Sequence, residues 1–178
     1  MNLKIDKSII HFLTVLLFIG LSSSAQAVCN SAIPLSTPTT DFVDHNDGTV
    51  THSPTGLMWK VCAEGYSWSA GGCATSGAIS HHWDDALQVP STLNVSGGFA
   101  NHFDWRLPNI KELTSIIEIA CDMPAINNTV FPVPGEGYFS ASPYVRGIWH
   151  AWGVDFWRGN YGALAKTSSR RVRLVRGG

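Results

Sequence analysis

The sequence has few charged residues, and their signs nearly cancel. Asp, Glu, Lys and Arg together make up 14% of the chain, and the formal net charge is −1 at pH 7. Non-specific nucleic-acid binders carry a large basic excess, so this class of protein is excluded. Seventeen glycines and seven tryptophans accompany the low charge. This composition favours one loop-rich domain with an aromatic core over a helical bundle.

The sequence also lacks an apolar run of the about 20 residues that a membrane-spanning helix needs. A shorter apolar stretch, Ile9–Leu21, follows two lysines and precedes the small residues Ala25 and Ala27. This order predicts a secretory signal peptide over residues 1–27 rather than a membrane anchor.

Residues 28–40 predict an extended leader, because their prolines and hydroxyl side chains offer no periodic apolar face. Residues 41–178 then remain for one folded domain. Lipidation at Cys29 is not expected, because Val28 stands where lipoprotein signals have a small residue. We expect a secreted or periplasmic protein, with the cell surface as a further destination.

No Cys-x-x-Cys spacing occurs among the four cysteines, so a zinc site is not expected. Their even number in an exported chain predicts two disulfides, for which three pairings exist. Cys62 and Cys73 enclose a short glycine-rich loop that closes easily. This pairing leaves Cys29 for Cys121.

Asp47-Gly48 is a strong hairpin signal between two short strand-like pieces. We expect a β-hairpin that leads into a strand at Leu57–Val61. A calcium loop is the alternative, but the acidic spacing is one residue short and no glutamate occupies the twelfth position.

Two helices are predicted in the middle of the chain. The first has a cap at Ser80 and ends near Pro90. The second follows Pro108, where Asn109 and Glu112 have the spacing of a capping box.

Arg106 lies just before this second helix, in "DWRLPN". We expect its guanidinium to order the turn through backbone carbonyls or a carboxylate such as Asp104, which is a structural role.

The region after Cys121 reads as β-structure. A strand is predicted within "GIWHAWGVDFW", with a partner at Gly162–Lys166. In "RRVRLVR", strand alternation predicts Val172 and Leu174 inward and Arg171 and Arg173 outward. The expected fold class is α+β, with two helices and short antiparallel strands.

Five motifs, in this order, resemble the Lcl C-terminal domain family: "DGTVTHSPTGLMWK", "DWRLPNIKEL", "PAINNTVFP", "YFSAS" and "RRVRLVR". The resemblance extends from about Asp41 to Arg176. It implies a C-type-lectin-like fold, related to formylglycine-generating-enzyme-like domains, and a role in glycan binding by secreted or surface adhesins. The Glu-Pro-Asn and Gln-Pro-Asp triplets of calcium-dependent lectins are absent, which argues against calcium-dependent sugar binding.

Signatures of catalysis are also absent. No G-x-S-x-G elbow occurs, and the acids are scattered without the context of a glycosidase pair. We therefore expect no enzyme activity, no cofactor and no metal site.

Two function classes remain. The first is a secreted binding module, an adhesin-type domain that uses exposed aromatics for stacking and arginines for anionic groups. Its candidate ligand-binding residues are Trp149, Trp157, Tyr161, Arg171 and Arg173. The second class is a structural or assembly domain that packs against another protein or a second copy of the chain.

Overall fold

The structure is a computed structural model that describes residues 27–69, 71–74, 77–132 and 134–177. The signal peptide predicted over residues 1–27 lies outside this part of the chain, apart from Ala27. The described residues form a mixed α/β domain with two α-helices, several small antiparallel sheets and two disulfides. No helix among them is both long and apolar enough to cross a membrane.

Secondary-structure elements are short and numbered here in chain order. The strands are β1 (Val28–Cys29), β2 (Phe42–Asp44), β3 (Thr49–His52), β4 (Leu57–Lys60), β5 (Ser67–Ser69), β6 (Gly72–Ala74), β7 (Cys121–Asp122), β8 (Tyr138–Pro143), β9 (His150–Asp155), β10 (Asn160–Ala165) and β11 (Val175–Arg176). The helices are α1 (Trp83–Val95) and α2 (Ile110–Thr114), and a single 3-10 turn covers Thr39–Asp41. The larger sheets have the strand orders β11-β4-β3-β2 and β10-β9-β8, while β1 pairs with β7 and β5 with β6.

The predicted hairpin is confirmed. β2 and β3 pair antiparallel, and Gly48 has a φ of 90° in the turn between them. Glycine adopts this left-handed conformation without steric cost. The Asp47 carboxylate accepts the backbone N–H of Thr49 at 3.0 Å, and β3 then pairs with β4 as expected.

The first helix differs from its prediction at both ends. α1 begins after His82 rather than Ser80, and it continues to Val95 with Pro90 inside it. A proline inside a helix removes one hydrogen bond and crowds the preceding turn. The helix continues because Ala86 and Pro90 are buried on its inner face. Tertiary packing outweighs the local signal.

The capping box of the second helix is confirmed. The Asn109 side chain accepts the backbone N–H of Glu112 at 2.9 Å, and the Glu112 carboxylate accepts the backbone N–H of Asn109 at 2.8 Å. The helix itself is a little over one turn long, and Leu113 on its inner face is fully buried.

Both predicted disulfides are confirmed. Cys29–Cys121 joins β1 to β7, and Cys62–Cys73 closes the short glycine-rich loop. The leader is also held by the buried carboxylate of Glu118, which accepts the backbone N–H groups of Ser36 at 3.0 Å and Thr37 at 2.8 Å.

The segment Val172–Val175 runs through the centre of the domain. Two apolar clusters flank it: Val172 and Leu174 belong to one, and Val175 belongs to the other. On one side its carbonyls accept the N–H groups of Lys60 and Glu64. All four of its residues are buried, so the predicted alternation between core and solvent does not hold here.

Candidate functional site

Three of the five predicted ligand-binding residues line two adjoining hollows. The first hollow has a volume of about 400 Å³ and is lined by Trp157, Arg170, Arg171, Ser80, Ser169 and the loop Pro134–Gly137. The second has a volume of about 220 Å³, and its lining includes Tyr161, Asp155 and Asn160. Glu136, Gly137 and Arg170 line both hollows. We call the combined concavity the arginine groove.

The hairpin between β9 and β10 positions the two aromatic residues of the groove. The Asp155 carboxylate accepts the backbone N–H of Trp157 at 2.8 Å, and the Asp155 carbonyl accepts the N–H of Gly159 at 2.8 Å. Gly159 has a φ of 68°, which suits glycine at the end of such a turn. Tyr161 follows in β10 and pairs with Val154 in β9.

Backbone hydrogen bonds hold the two arginines of the groove. Arg170 and His81 exchange backbone N–H···O bonds of 2.9 and 2.8 Å, and the N–H of Arg171 bonds to the Gly137 carbonyl at 3.0 Å. A side chain at Gly135 would collide with the Arg171 guanidinium, and one at Gly137 would collide with Arg170. The two glycines therefore let both arginine side chains lie against this loop.

The charges of Arg170 and Arg171 are not matched by ion pairs in the described part of the chain. Arg170 donates one bond, from Nη1 to the Ser169 carbonyl at 3.2 Å. Arg170 Nε and Arg171 Nη1 are buried without a hydrogen-bond partner among the described residues. Since guanidinium stays charged in proteins, the groove holds two cations that form no ion pair among the described residues, and the carboxylates of Glu136 and Asp155 also line it.

The prediction that Arg173 faces solvent is wrong. Its side chain is only 1% exposed, and its guanidinium donates to the carbonyls of Lys60 and Val61. The guanidinium carbon lies 4.6 Å from the centre of the Phe131 ring. Burial lowers the pKa of Arg173 below its ordinary value. Arg173 is buried because the Val172–Val175 segment lies between two apolar clusters and has no side that faces solvent.

Trp149 lies apart from the arginine groove. It immediately precedes β9, whereas Trp157 follows the end of this strand. A six-residue strand is about 20 Å long, so the two tryptophans cannot contact one small ligand. Trp149 is 74% exposed, in a loop with other exposed apolar residues.

Arg106 is part of the framework, as predicted, but its partner differs. Its guanidinium forms two hydrogen bonds of 2.7 Å with the Glu112 carboxylate and one of 2.7 Å with the Gly177 carbonyl. Asp104, the predicted partner, pairs instead with Arg176 at 2.7 Å. Burial raises the pKa of Glu112, but hydrogen bonds from Arg106 and the Asn109 N–H outweigh it, so this pKa is lowered.

Sequence reasoning missed Glu136 and Asn160, which line the groove together with the predicted residues. The available signal was the glycine-flanked loop "PGEG" directly before a strand, because loops with such flexible residues often carry function. Among the described residues, no group of three or more His, Cys, Asp or Glu side chains is placed to hold a metal ion.

Comparison with known proteins gives one family. No curated protein matches the chain significantly. The Lcl C-terminal domain family matches residues 48–176, a range that includes the groove and both helices. Because this match covers well over half of the chain, the protein belongs to the Lcl C-terminal domain family.

Proposed function

We propose that this chain is a secreted, non-catalytic binding module that recognises anionic glycans through the arginine groove. The proposal rests on one observation. Arg170 and Arg171 line the same groove as Trp157 and Tyr161, and neither arginine forms an ion pair among the described residues. A sulfate or carboxylate group of a ligand would form the ion pair that these arginines lack, and a guanidinium fork can hold it with two hydrogen bonds.

The other groove residues suit the neutral part of a sugar. Tyr161 is 60% exposed and offers a ring face for stacking. The Glu136 carboxylate and the Asn160 side chain can accept or donate hydrogen bonds to hydroxyl groups. The combination of aromatic rings, amide, carboxylate and guanidinium groups is what a charged sugar requires.

The location and the finer fold assignment belong to the same proposal. The disulfides Cys29–Cys121 and Cys62–Cys73 support export to an oxidising compartment, secreted or periplasmic, with the cell surface as a further destination. We assign the domain to the C-type-lectin-like folds on the strength of its motifs and its α+β composition. Such folds host many functions, so the function itself rests on the groove.

A glycan-array screen of the purified protein tests the proposal. We expect sulfated or carboxylated glycans to bind, with the same affinity in calcium and in a chelator. Binding should weaken when the ionic strength rises above the level at which the Debye length is about 8 Å, because contacts with exposed charges are screened by salt.

The groove is tested by Arg170→Gln combined with Arg171→Gln, and separately by Tyr161→Ala. Loss of the anionic contacts should lower affinity at low salt by about tenfold or more, since charge-assisted hydrogen bonds contribute about 1.5–3 kcal/mol each. The matched control is Arg158→Gln, which removes an exposed arginine that does not line either hollow. Equal loss in the control would show that only net charge matters.

The second candidate function is an assembly domain, and the edge strand β10 favours it. β10 lies at the outside of its sheet and contains neither charge nor proline across Asn160–Ala165. Edge strands usually carry such features to prevent pairing with other chains. Sedimentation velocity of the parent protein and of the Ala163→Lys variant tests this function. A parent dimer that is dissociated in the variant would favour assembly over glycan binding.

A further inference from the structure

The loop Tyr144–Trp149, between β8 and β9, exposes three large apolar side chains within five residues. Val145 is 89% exposed, Ile148 is 73% exposed and Trp149 is 74% exposed. Single exposed apolar residues are common on protein surfaces and need no explanation. A contiguous group of them marks an interaction surface. We call this segment the apolar loop.

Hydrogen bonds shape the apolar loop in advance. The N–H of Tyr144 bonds to the His150 carbonyl at 3.1 Å, the N–H of Gly147 to the Tyr144 carbonyl at 3.1 Å, and the N–H of His150 to the Gly147 carbonyl at 2.9 Å. The Tyr144 ring packs edge-on against Trp152 with 4.9 Å between ring centres. The three apolar side chains therefore project from a fixed turn, and little conformational entropy is lost when they are buried.

The apolar loop itself carries one charge, which is positive. Arg146 lies between the apolar residues and is exposed, and no Asp or Glu occurs from Gly137 to Val154. The backbone N–H of Lys166 bonds to the Trp149 carbonyl at 2.9 Å, but its ammonium lies 4.3 Å from the centre of the Trp83 ring. An anionic surface would complement Arg146.

We propose that the apolar loop inserts shallowly into the interface of an anionic lipid membrane. Tryptophan favours the boundary between lipid headgroups and acyl chains, and basic residues beside it contact anionic headgroups. The small size of the loop also favours a membrane over a protein partner. Three side chains on a turn can enter a fluid interface, whereas a stable protein contact buries about 800 Å² on each partner.

The position of the loop is compatible with the proposed glycan site. The apolar loop precedes β9, whereas the residues of this strand that line the arginine groove begin at Gly153. None of the residues 144–149 lines either hollow, so variants can test the two sites separately.

Vesicle co-sedimentation tests this inference with the purified protein. Probes are vesicles of phosphatidylcholine alone and vesicles of equal parts phosphatidylcholine and phosphatidylglycerol. We expect partitioning into the anionic vesicles with a blue shift of tryptophan emission, and much weaker partitioning into the neutral ones. Weak and reversible binding is expected, because a small apolar group combined with a few charges gives only marginal membrane affinity.

Variants assign the binding to the loop. Val145→Ser, Ile148→Ser and Trp149→Ser together should reduce partitioning about tenfold or more, because they remove the apolar area that enters the lipid. Arg146→Gln should abolish most of the preference for anionic vesicles. Trp149→Phe should keep most of the partitioning and lose the emission shift. The matched control is Val95→Ser, since Val95 is 85% exposed but lies at the end of α1.

Three results would overturn the inference. The parent protein could show no partitioning into anionic vesicles, or the triple variant could partition as strongly as the parent. Sedimentation velocity without lipid could instead show a dimer that the triple variant dissociates, which would make the loop a contact between copies. Circular dichroism verifies that the triple variant is folded. If it is not folded, the loss of the emission shift in Trp149→Phe tests the insertion of the loop independently.

Discussion

Arg171 and Arg173 are two residues apart in the same segment and have opposite environments. Arg171 borders an open groove and forms no ion pair in the described part of the chain, whereas Arg173 is 1% exposed and donates to the carbonyls of Lys60 and Val61. Strand alternation alone would place both on one face. The comparison teaches that alternation indicates which residues share a face but not whether that face meets solvent.

The same contrast extends to three other arginines of the domain. Arg106 and Arg176 each hold a carboxylate, Glu112 and Asp104 respectively, whereas Arg170 has no acidic partner within the described ranges. Burial and partners therefore divide these five arginines into framework residues (Arg106, Arg173 and Arg176) and groove residues (Arg170 and Arg171). Substitution of a framework arginine should lower stability, whereas substitution of the groove arginines should lower ligand binding.

Arg173→Ala should have the largest effect on stability. The change leaves a cavity beside Phe131 and Tyr138 and removes the donors to the carbonyls of Lys60 and Val61. Truncation of a large buried side chain costs about 2–5 kcal/mol in free energy of unfolding. Urea denaturation measures the loss. Arg173→Met, which fills most of the space, should cost less, and an unchanged midpoint for the alanine variant would contradict the framework role.

Arg106→Ala should have the next largest effect. Loss of a hydrogen-bonded charged contact costs about 1.5–3 kcal/mol, and the lower end applies because the Arg106 side chain is 39% exposed. Thermal unfolding measures the change. Arg106→Lys should not restore stability fully, because an ammonium cannot reproduce the two parallel hydrogen bonds to Glu112.

The Arg106–Glu112 pair also predicts a pH dependence. The pKa of Glu112 is lowered below its ordinary value of 4.5 in the folded state. A carboxyl group with a lowered pKa contributes stability above its ordinary pKa, and this contribution is lost as the pH falls through the folded value. Acidification below pH 4.5 should therefore destabilise the parent more than Arg106→Ala. The free energy of unfolding of both proteins is measured as a function of pH. The same loss on acidification in both would contradict the coupling of Glu112 to Arg106.

Arg176→Ala should have a small effect. Its two hydrogen bonds to Asp104 measure 2.7 and 3.1 Å, but the Asp104 side chain is 58% exposed. Exposed ion pairs contribute about 0.2–1 kcal/mol and are screened by salt. A double-mutant cycle with Asp104→Asn measures the coupling. Coupling that persists in high salt would argue for a buried pair.

Arg170→Gln combined with Arg171→Gln should have the smallest effect on stability and the largest on glycan binding. Neither side chain forms an ion pair in the described part of the chain, and the change removes two buried N–H groups that lack partners, so little stability is lost. The same variant should lose its salt-sensitive affinity for sulfated or carboxylated glycans, measured by calorimetry. A large fall in melting temperature with unchanged binding would move both arginines into the framework group.

Local signals predicted much of the fold. Asp47-Gly48 indicated the hairpin, Asn109 and Glu112 indicated the capped helix, and the short loop between Cys62 and Cys73 indicated its disulfide. Each of these features is decided by residues close in sequence. For this reason, turn, cap and loop-closure rules were sufficient.

Predictions that depended on distant neighbours were less accurate. Pro90 was expected to end α1, but its burial beside Ala86 keeps it inside the helix. Of the candidate site, Trp157, Tyr161 and Arg171 come together, while Trp149 lies at the other end of β9 and Arg173 in the core. Nothing local in the sequence distinguishes these five side chains.

The sequence by itself determined the Asp47-Gly48 turn, the cap of α2, the Cys62–Cys73 disulfide and the family, because each is carried by neighbouring residues or by an ordered set of motifs. Only the tertiary structure decided which arginines meet solvent. The Val172–Val175 segment passes between two apolar clusters, so the environment of its side chains is set by residues far away in the chain. Arg173 is buried by that contact, whereas Arg171, just before this segment, lines the arginine groove.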